Sequence, residues 1–182
     1  AYMLSVILGL LLMFSVYLMI IAIVAKRDPF TFIGNIRNAQ MFAFSTSSSA
    51  ATMPFTLKAA EENLLINPKI SRFVIPLGAT INMDGTALFE GIAAVFLAYM
   101  FGIDLGTTGV IAIFLVAMLS SVGAPGIPSG SMAGMQMVLL AVGIPLEAIG
   151  LLLLIERPLD TFRTAINVEG DLVGCLVAKR FA

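Results

Sequence analysis

The residues of this sequence that could do chemistry are concentrated in one short stretch of its last quarter. Asp160, Arg163, Thr164, Asn167 and Asp171 recur at intervals of three and four residues, so they share one face of a helix. The flanking residues are apolar enough for a bilayer, where each Arg or Asp at mid-membrane costs about 2.5–3.5 kcal/mol. A membrane protein keeps such a stripe when it faces the protein interior or a wet cavity. The stripe therefore predicts a site for a polar or ionic solute.

The residue types on this face suit a charged solute together with a cation. A guanidinium such as that of Arg163 pairs with carboxylates, and Asp160 suits an ammonium group. Asn167 and Asp171 offer oxygens to a hard cation. The alternative is structural, because Asp160 and Arg163 could simply neutralise one another. The functional interpretation is favoured because Asn167 and Asp171 continue the face without a basic partner.

A second polar cluster interrupts a hydrophobic stretch in the middle of the chain. Thr80, Asn82, Asp84 and Thr86 lie with Gly85 between apolar segments, so we expect a helix to unwind here and free its carbonyls. Oxygen-rich unwound backbone suits Na⁺. The spacing is not that of a soluble calcium loop, and an ordinary polar kink is the alternative.

Composition predicts a membrane protein, and the apolar segments along the chain predict an all-α fold. Of the 182 residues, 59% are hydrophobic and only 12% are charged, and the mean hydropathy is +1.03, which is typical of a chain surrounded by lipid. The net charge of −1 supplies no basic patch for nucleic acid. The absence of histidine and the single Cys175 exclude His-based catalysis, an internal disulfide and a thiolate cluster. Together with the predicted site for a solute, this leads us to expect a transporter and no enzyme.

Five membrane elements are predicted to position these residues in one unit over 1–182. Short apolar arms flank two polar tips, Ser45–Pro54 and Ser120–Ser131, and neither pair of arms comfortably crosses a bilayer. Pro158 is the expected kink of the last helix. The elements are a transmembrane helix over 2–25, a re-entrant hairpin over 30–66, a broken transmembrane helix over 71–101, a second re-entrant hairpin over 108–143 that serves as a gate, and a polar-striped transmembrane helix over 146–180.

The distribution of basic residues predicts the orientation. Lysine and arginine cluster before Arg72 and again at Lys179 and Arg180, and none occurs between Arg72 and Arg157. By the positive-inside rule the first hairpin enters from the cytoplasm, the second enters from outside, and the C-terminus is cytoplasmic.

Three motifs in this order resemble the dicarboxylate/amino acid:cation symporter family, which has the glutamate-transporter fold: Ser47–Pro54, Asn82–Thr86 and Asp160–Asp171. The resemblance implies a transport domain of elevator type in the cell membrane, with sodium-coupled symport of aspartate or glutamate. It covers the chain but only the C-terminal half of a typical member. A scaffold half and a homotrimer are therefore implied partners.

The resemblance also implies roles for individual positions. Glu90 corresponds to a proton-carrying glutamate of eukaryotic members, so coupling to H⁺ is expected, with a permanently neutral buried glutamate as the alternative. The implied substrate positions are Ser48, Ser49, Thr86, Val122, Gly126, Asp160, Arg163, Thr164 and Asn167. The implied sodium positions are Gly78, Thr80, Asn82, Met83, Asp84, Ser121, Val122, Ala124, Asn167 and Asp171. They would serve two or three ions, and the third site also needs an earlier helix.

Two other functions stay open at this point. One is a C4-dicarboxylate or neutral amino acid carrier of the same fold, coupled to protons or sodium. The other is a structural membrane subunit whose stripe only packs against neighbouring helices. Within the second tip, Pro125, Ser129 and Ser131 depart from the family pattern, which bears on gate mobility and substrate fit.

Overall fold

The computed structural model describes residues 1–182, which form helices only. One turn of π-helix, Ala59–Asn63, and one turn of 3₁₀ helix, Leu146–Ala148, lie between longer elements. The eight α-helices are α1 (Tyr2–Ile23), α2 (Pro29–Thr46), α3 (Ser49–Lys58), α4 (Pro68–Ile81), α5 (Asp84–Met100), α6 (Gly106–Ser121), α7 (Ser131–Ala141) and α8 (Ile149–Phe181).

Two stretches are long and apolar enough to cross a membrane, Tyr2–Ile23 and Pro68–Met100. The first is α1, which at 22 residues is about 33 Å long and so matches the hydrocarbon core. The second contains both α4 and α5. The last helix, α8, does not qualify by composition, because it carries the charged stripe. The polar residues of the stripe are buried inside the protein instead.

The first helix pair, α2 and α3, is joined by a tip of only two residues. Ser47 has a left-handed backbone (φ +51°) and ends α2, and the hydroxyl of Ser48 accepts the backbone N–H of Ala51 at 3.1 Å. This N-cap satisfies a free donor of the first turn of α3 and starts the helix there. The predicted tip, Ser45–Pro54, is therefore too long: helix α3 already contains Pro54.

The middle helix is interrupted at two residues, Asn82 and Met83, between α4 and α5. The predicted unwinding was wider, since it included Thr80 in α4 and the first turn of α5. Asp84 lies in that first turn, where the helix dipole favours an anion. The break is therefore narrow, and its polar flanks remain helical.

Helices α6 and α7 form the second helix pair. They pack against each other, are joined by a longer connection over 122–130, and both contact α5. Helix α8 then runs for 33 residues and packs against α1, α2, α4 and α5. It stays helical through Pro158, which is the position of the predicted kink. Because α8 lies at the centre, its polar face reaches both tips and the break.

Candidate functional site

The two tips meet over a small cavity beside the break and the polar face of α8. Its volume is about 10 Å³, which is room for about one water molecule. A larger solute could enter only if one tip moved away. The cavity is lined by Ser47, Ser49, Met83, Thr86, Ala124, Pro125, Gly126, Ile127, Gly130, Ser131, Asp160, Thr164 and Asn167.

The contact between the tips is made through one carbonyl. Gly126 O accepts the Ser48 hydroxyl at 2.7 Å and the backbone N–H of Ala50 at 3.0 Å. A Cβ at position 126 would lie 2.9 Å from the carbonyl oxygen of Ala79. Only glycine therefore lets the second tip approach this closely.

Arg163 lies behind the cavity and does not line it. Its Nη2 is 2.6 Å from Asp160 Oδ1 and 2.7 Å from Glu156 Oε1, and its guanidinium carbon lies 3.9 Å from the ring centre of Phe89. The arginine is 1% exposed, and its Nε and Nη1 have no partner. Two buried donors on a cation are costly to leave unpaired, so this geometry suits an additional acceptor.

Ser129 joins the second tip to the same carboxylates. Its backbone N–H donates to Asp160 Oδ2 at 2.9 Å, and its hydroxyl donates to Glu156 Oε2 at 3.0 Å. The residue has a left-handed backbone (φ +59°), which is uncommon for a side chain other than glycine. Ser129 thus ties the second tip to α8.

Asp171 lies against the end of α4. Its Oδ1 accepts the amide N–H of Asn82 at 3.0 Å, and a Cβ added to Gly78 would lie 2.2 Å from that oxygen. Asp84, which follows the break, accepts a hydrogen bond from the hydroxyl of Tyr17 on α1. Carboxylate oxygens thus lie on both sides of the break, and such oxygens are ligands that hard cations take.

Asn167 connects α8 to the start of α5, on the far side of the break from α4. Its amide oxygen accepts the backbone N–H of Gly85 at 2.8 Å. Its amide nitrogen lies 3.2 Å from Met83 Sδ and 3.3 Å from Thr86 Oγ1. The resemblance implies a substrate role for Thr86, a sodium role for Met83 and both roles for Asn167, and the structure places these three side chains in contact.

Not every predicted position reaches the site by its side chain. Thr80 is exposed, and its hydroxyl donates to Leu77 O in its own helix. Ser121 is buried, but its hydroxyl donates to Met118 O. Val122 is 47% exposed and does not line the cavity. These three could contribute backbone oxygens, whereas their side chains point to other surroundings.

Glu90 lies on α5, apart from Asp84 and Asp171, and faces the second helix pair. It is fully buried, its Oε2 accepts the hydroxyl of Ser120, and its Oε1 has no partner. A Cβ added to Gly134 would lie 2.3 Å from Oε1. The carboxyl group therefore touches both arms of the pair that closes the cavity.

Sequence analysis missed Glu156, Tyr17 and Phe89. Glu156 had a signal, because it lies four residues before Asp160 and seven before Arg163 and so extends the same helical stripe. Tyr17 and Phe89 had none, since an aromatic residue in an apolar segment predicts only packing. Their proximity to the site comes from helix packing.

A helix interrupted at its centre, two helix pairs with facing tips and a buried polar face between them are features of secondary transporters. The sequence model of the sodium:dicarboxylate symporter family matches residues 1–181. The chain belongs to the sodium:dicarboxylate symporter family.

Curated relatives agree with this assignment. Excitatory amino acid transporter 2 of Homo sapiens is 45% identical over 174 residues, which is 95% of this chain and 30% of that protein. Excitatory amino acid transporter 3 of Homo sapiens is 43% identical over 182 residues, or 100% of this chain and 35% of that protein. An excitatory amino acid transporter of Caenorhabditis elegans is 40% identical over 182 residues, which is 100% of this chain and 36% of that protein. The chain spans about a third of the length of the curated relatives it matches.

Proposed function

We propose that this chain carries the substrate and ion sites of a sodium-coupled symporter for aspartate or glutamate in the cell membrane. The observation that carries the proposal is Arg163. It is a buried guanidinium with two unpartnered donor nitrogens, one helical turn from a carboxylate that lines a closed cavity.

The charges around the cavity match an acidic amino acid. Asp160 and Glu156 both contact the buried Arg163, and the other cation near Asp160 is the exposed Arg157, whose Nη1 lies 3.8 Å from Asp160 Oδ2. Among the buried groups alone, one negative charge is therefore in excess. An ammonium group beside Asp160 would compensate it. The free N–H groups of Arg163 would then donate hydrogen bonds to the side-chain carboxylate.

The α-carboxylate is proposed to bind between the tips. Ser49 and Ser47 line the cavity from the first tip. The hydroxyl of Ser48 and the N–H of Ala50 are close by, although Gly126 O now accepts both. If the second tip moves away, those donors become available to a carboxylate, which a helix N-terminus also favours. The first tip thus supplies hydrogen bonds and the second tip acts as the gate.

The sodium ions are cargo in this proposal, bound around the break. Asp171, Asn82 and Gly78 lie together on one side, and Asp84 lies on the other. An ion that draws these oxygens together would fix the break and α8 in one arrangement. Coupling follows if ion and substrate each stabilise the closed tip.

The proposal also includes proton coupling through Glu90 and movement of this unit, as an elevator, against a trimeric scaffold with the C-terminus in the cytoplasm. Support for the scaffold and orientation comes from the resemblance and from the distribution of basic residues. A sodium gradient across reconstituted vesicles should drive uptake of labelled aspartate. Equal uptake with potassium replacing sodium would contradict the proposal.

Glu90→Gln should remove the pH dependence of transport. Glu90 is fully buried and contacts the second helix pair, so gain or loss of its proton alters the charge beside the gate. Glutamine keeps the shape and cannot titrate. The measurement is initial uptake between about pH 5.5 and 8.5. The matched control is Glu147→Gln, which lies outside the membrane helices and should keep the wild-type dependence of uptake on pH. An unchanged pH dependence in Glu90→Gln would refute the proton-coupling role of Glu90.

Gly126→Ala should hold the gate open and weaken aspartate binding by about tenfold or more. The added methyl group would lie 2.9 Å from Ala79 O and 3.3 Å from Ala50 N, which prevents the closed contact. Calorimetric titration with aspartate in saturating sodium measures the loss. Gly123→Ala lies in the same connection with nothing within 4 Å of its added Cβ, so it is the control. Equal affinities of the two variants would contradict the role of this close approach.

A further inference from the structure

A cluster of basic residues lies far from the site already described, where the ends of α1 and α8 meet. A cavity of about 310 Å³ separates them and is lined by Ala25, Lys26, Arg27, Leu176, Lys179 and Arg180. Four of these six residues are cationic. We propose that this basic pocket, defined by those six residues, binds the phosphate of an anionic lipid headgroup.

The four cations lack carboxylate partners. None of them takes part in an ion pair. The neighbouring carboxylate, Asp28, accepts both the backbone N–H and the hydroxyl of Thr31 at 2.7 Å and so caps α2. Lys179 is anchored, because its ammonium group donates to Leu65 O at 2.6 Å. The pocket therefore combines one fixed cation with three that are free to bind an anion.

Lys26, which lines the pocket just after the end of α1, has a strained backbone conformation. Lys26 has a left-handed backbone (φ +51°), a conformation that glycine adopts without cost and lysine does not. The N–H of Arg27 then donates to Ile21 O at 3.1 Å and closes the helix end. A glycine would relieve the strain and would remove one charge from the pocket.

The position of the pocket favours a lipid over a free anion. Helix α1 is long enough to cross the hydrocarbon core, so the pocket directly after it lies at the headgroup level. Ala25 and Leu176 give it an apolar floor, and Ile23 and Phe181 next to it are 66% and 78% exposed. Phosphate can contact the cations while acyl chains contact this apolar surface. Basic pockets at the ends of membrane helices are suited to anionic headgroups.

The test is thermal unfolding of the purified protein in detergent with dioctanoyl phosphatidic acid, dioctanoyl phosphatidylcholine or inorganic phosphate. Phosphatidic acid should raise the melting temperature in a saturable manner, whereas phosphatidylcholine should not. In Arg27→Gln/Arg180→Gln, the apparent affinity should fall by at least about tenfold. The control Arg37→Gln/Lys69→Gln removes the same charge from exposed residues outside the pocket and should keep wild-type affinity.

The outcomes separate the sources of the phosphate and the role of the pocket. An equal loss of affinity for phosphatidic acid in the two double variants would overturn the proposal, because a general attraction of the lipid to basic residues would explain the binding. An equal shift with inorganic phosphate would overturn the lipid as ligand. Lys26→Gly should raise the melting temperature without lipid and reduce the lipid-dependent shift. A full lipid-dependent shift in that variant would contradict the role of Lys26.

Discussion

Arg163→Cys should lower the affinity for aspartate and glutamate by at least about tenfold, or about 1.4 kcal/mol, and should allow serine or alanine to bind. The guanidinium is the only cation in contact with Glu156, and two of its donors are unpartnered. A substrate that lacks a second carboxylate leaves such a group under-paired. Binding of the four amino acids to the variant by calorimetry measures the change.

The structure adds a control that the sequence did not provide. Arg163→Cys leaves Glu156 and Asp160 without their buried cation, and breaking such a pair costs about 3–5 kcal/mol. Glu156→Gln/Arg163→Cys removes one of the two charges and should recover part of the lost stability. It should still prefer neutral amino acids. If the double variant regained affinity for aspartate, the loss in Arg163→Cys would reflect folding, and the assignment of Arg163 would be wrong.

Asp171→Asn should weaken the sodium dependence of substrate binding more than the substrate affinity at saturating sodium. The carboxylate faces Asn82 and the backbone of Gly78 rather than the substrate cavity. Loss of its charge therefore removes attraction for a cation without removing a substrate contact. Aspartate titrations at several sodium concentrations measure both effects.

Gly78→Ala tests the same site without changing a charge. A Cβ there would lie 2.2 Å from Asp171 Oδ1, so the carboxylate must move and sodium affinity should fall by about tenfold or more. Gly150→Ala has open space around the added methyl group and should behave as wild type. If sodium dependence were equally steep in Asp171→Asn, Gly78→Ala and wild type, Asp171 would not be a sodium ligand.

Much of the site could be predicted because helical periodicity is a local property. The spacing of Asp160, Arg163 and Asn167 specifies one face of α8, and the structure buries that face. The polar residues around Asn82 predicted an interruption, which the structure contains. Family membership and an all-helical fold are confirmed.

The remaining features depend on contacts between distant segments. The N-cap of Ser48 shortens the first tip, and the partners of Arg163 depend on the rotamers of buried side chains. Sequence spacing placed Arg163 on the polar face of α8, and the structure adds its contacts with Glu156 and Phe89. The link from Ser129 to Asp160 joins α8 to a connection 31 residues away, and no local pattern predicts such a contact.

Calorimetric titration of the purified protein with aspartate, glutamate and succinate, each with and without sodium, tests the central claim most directly. An ammonium group beside Asp160 and a second carboxylate beside Arg163 are both required by the proposed site. Aspartate or glutamate should therefore bind in sodium, at least about tenfold more weakly without it, and more tightly than succinate. A clear preference for succinate, or binding that is independent of sodium, would contradict the account.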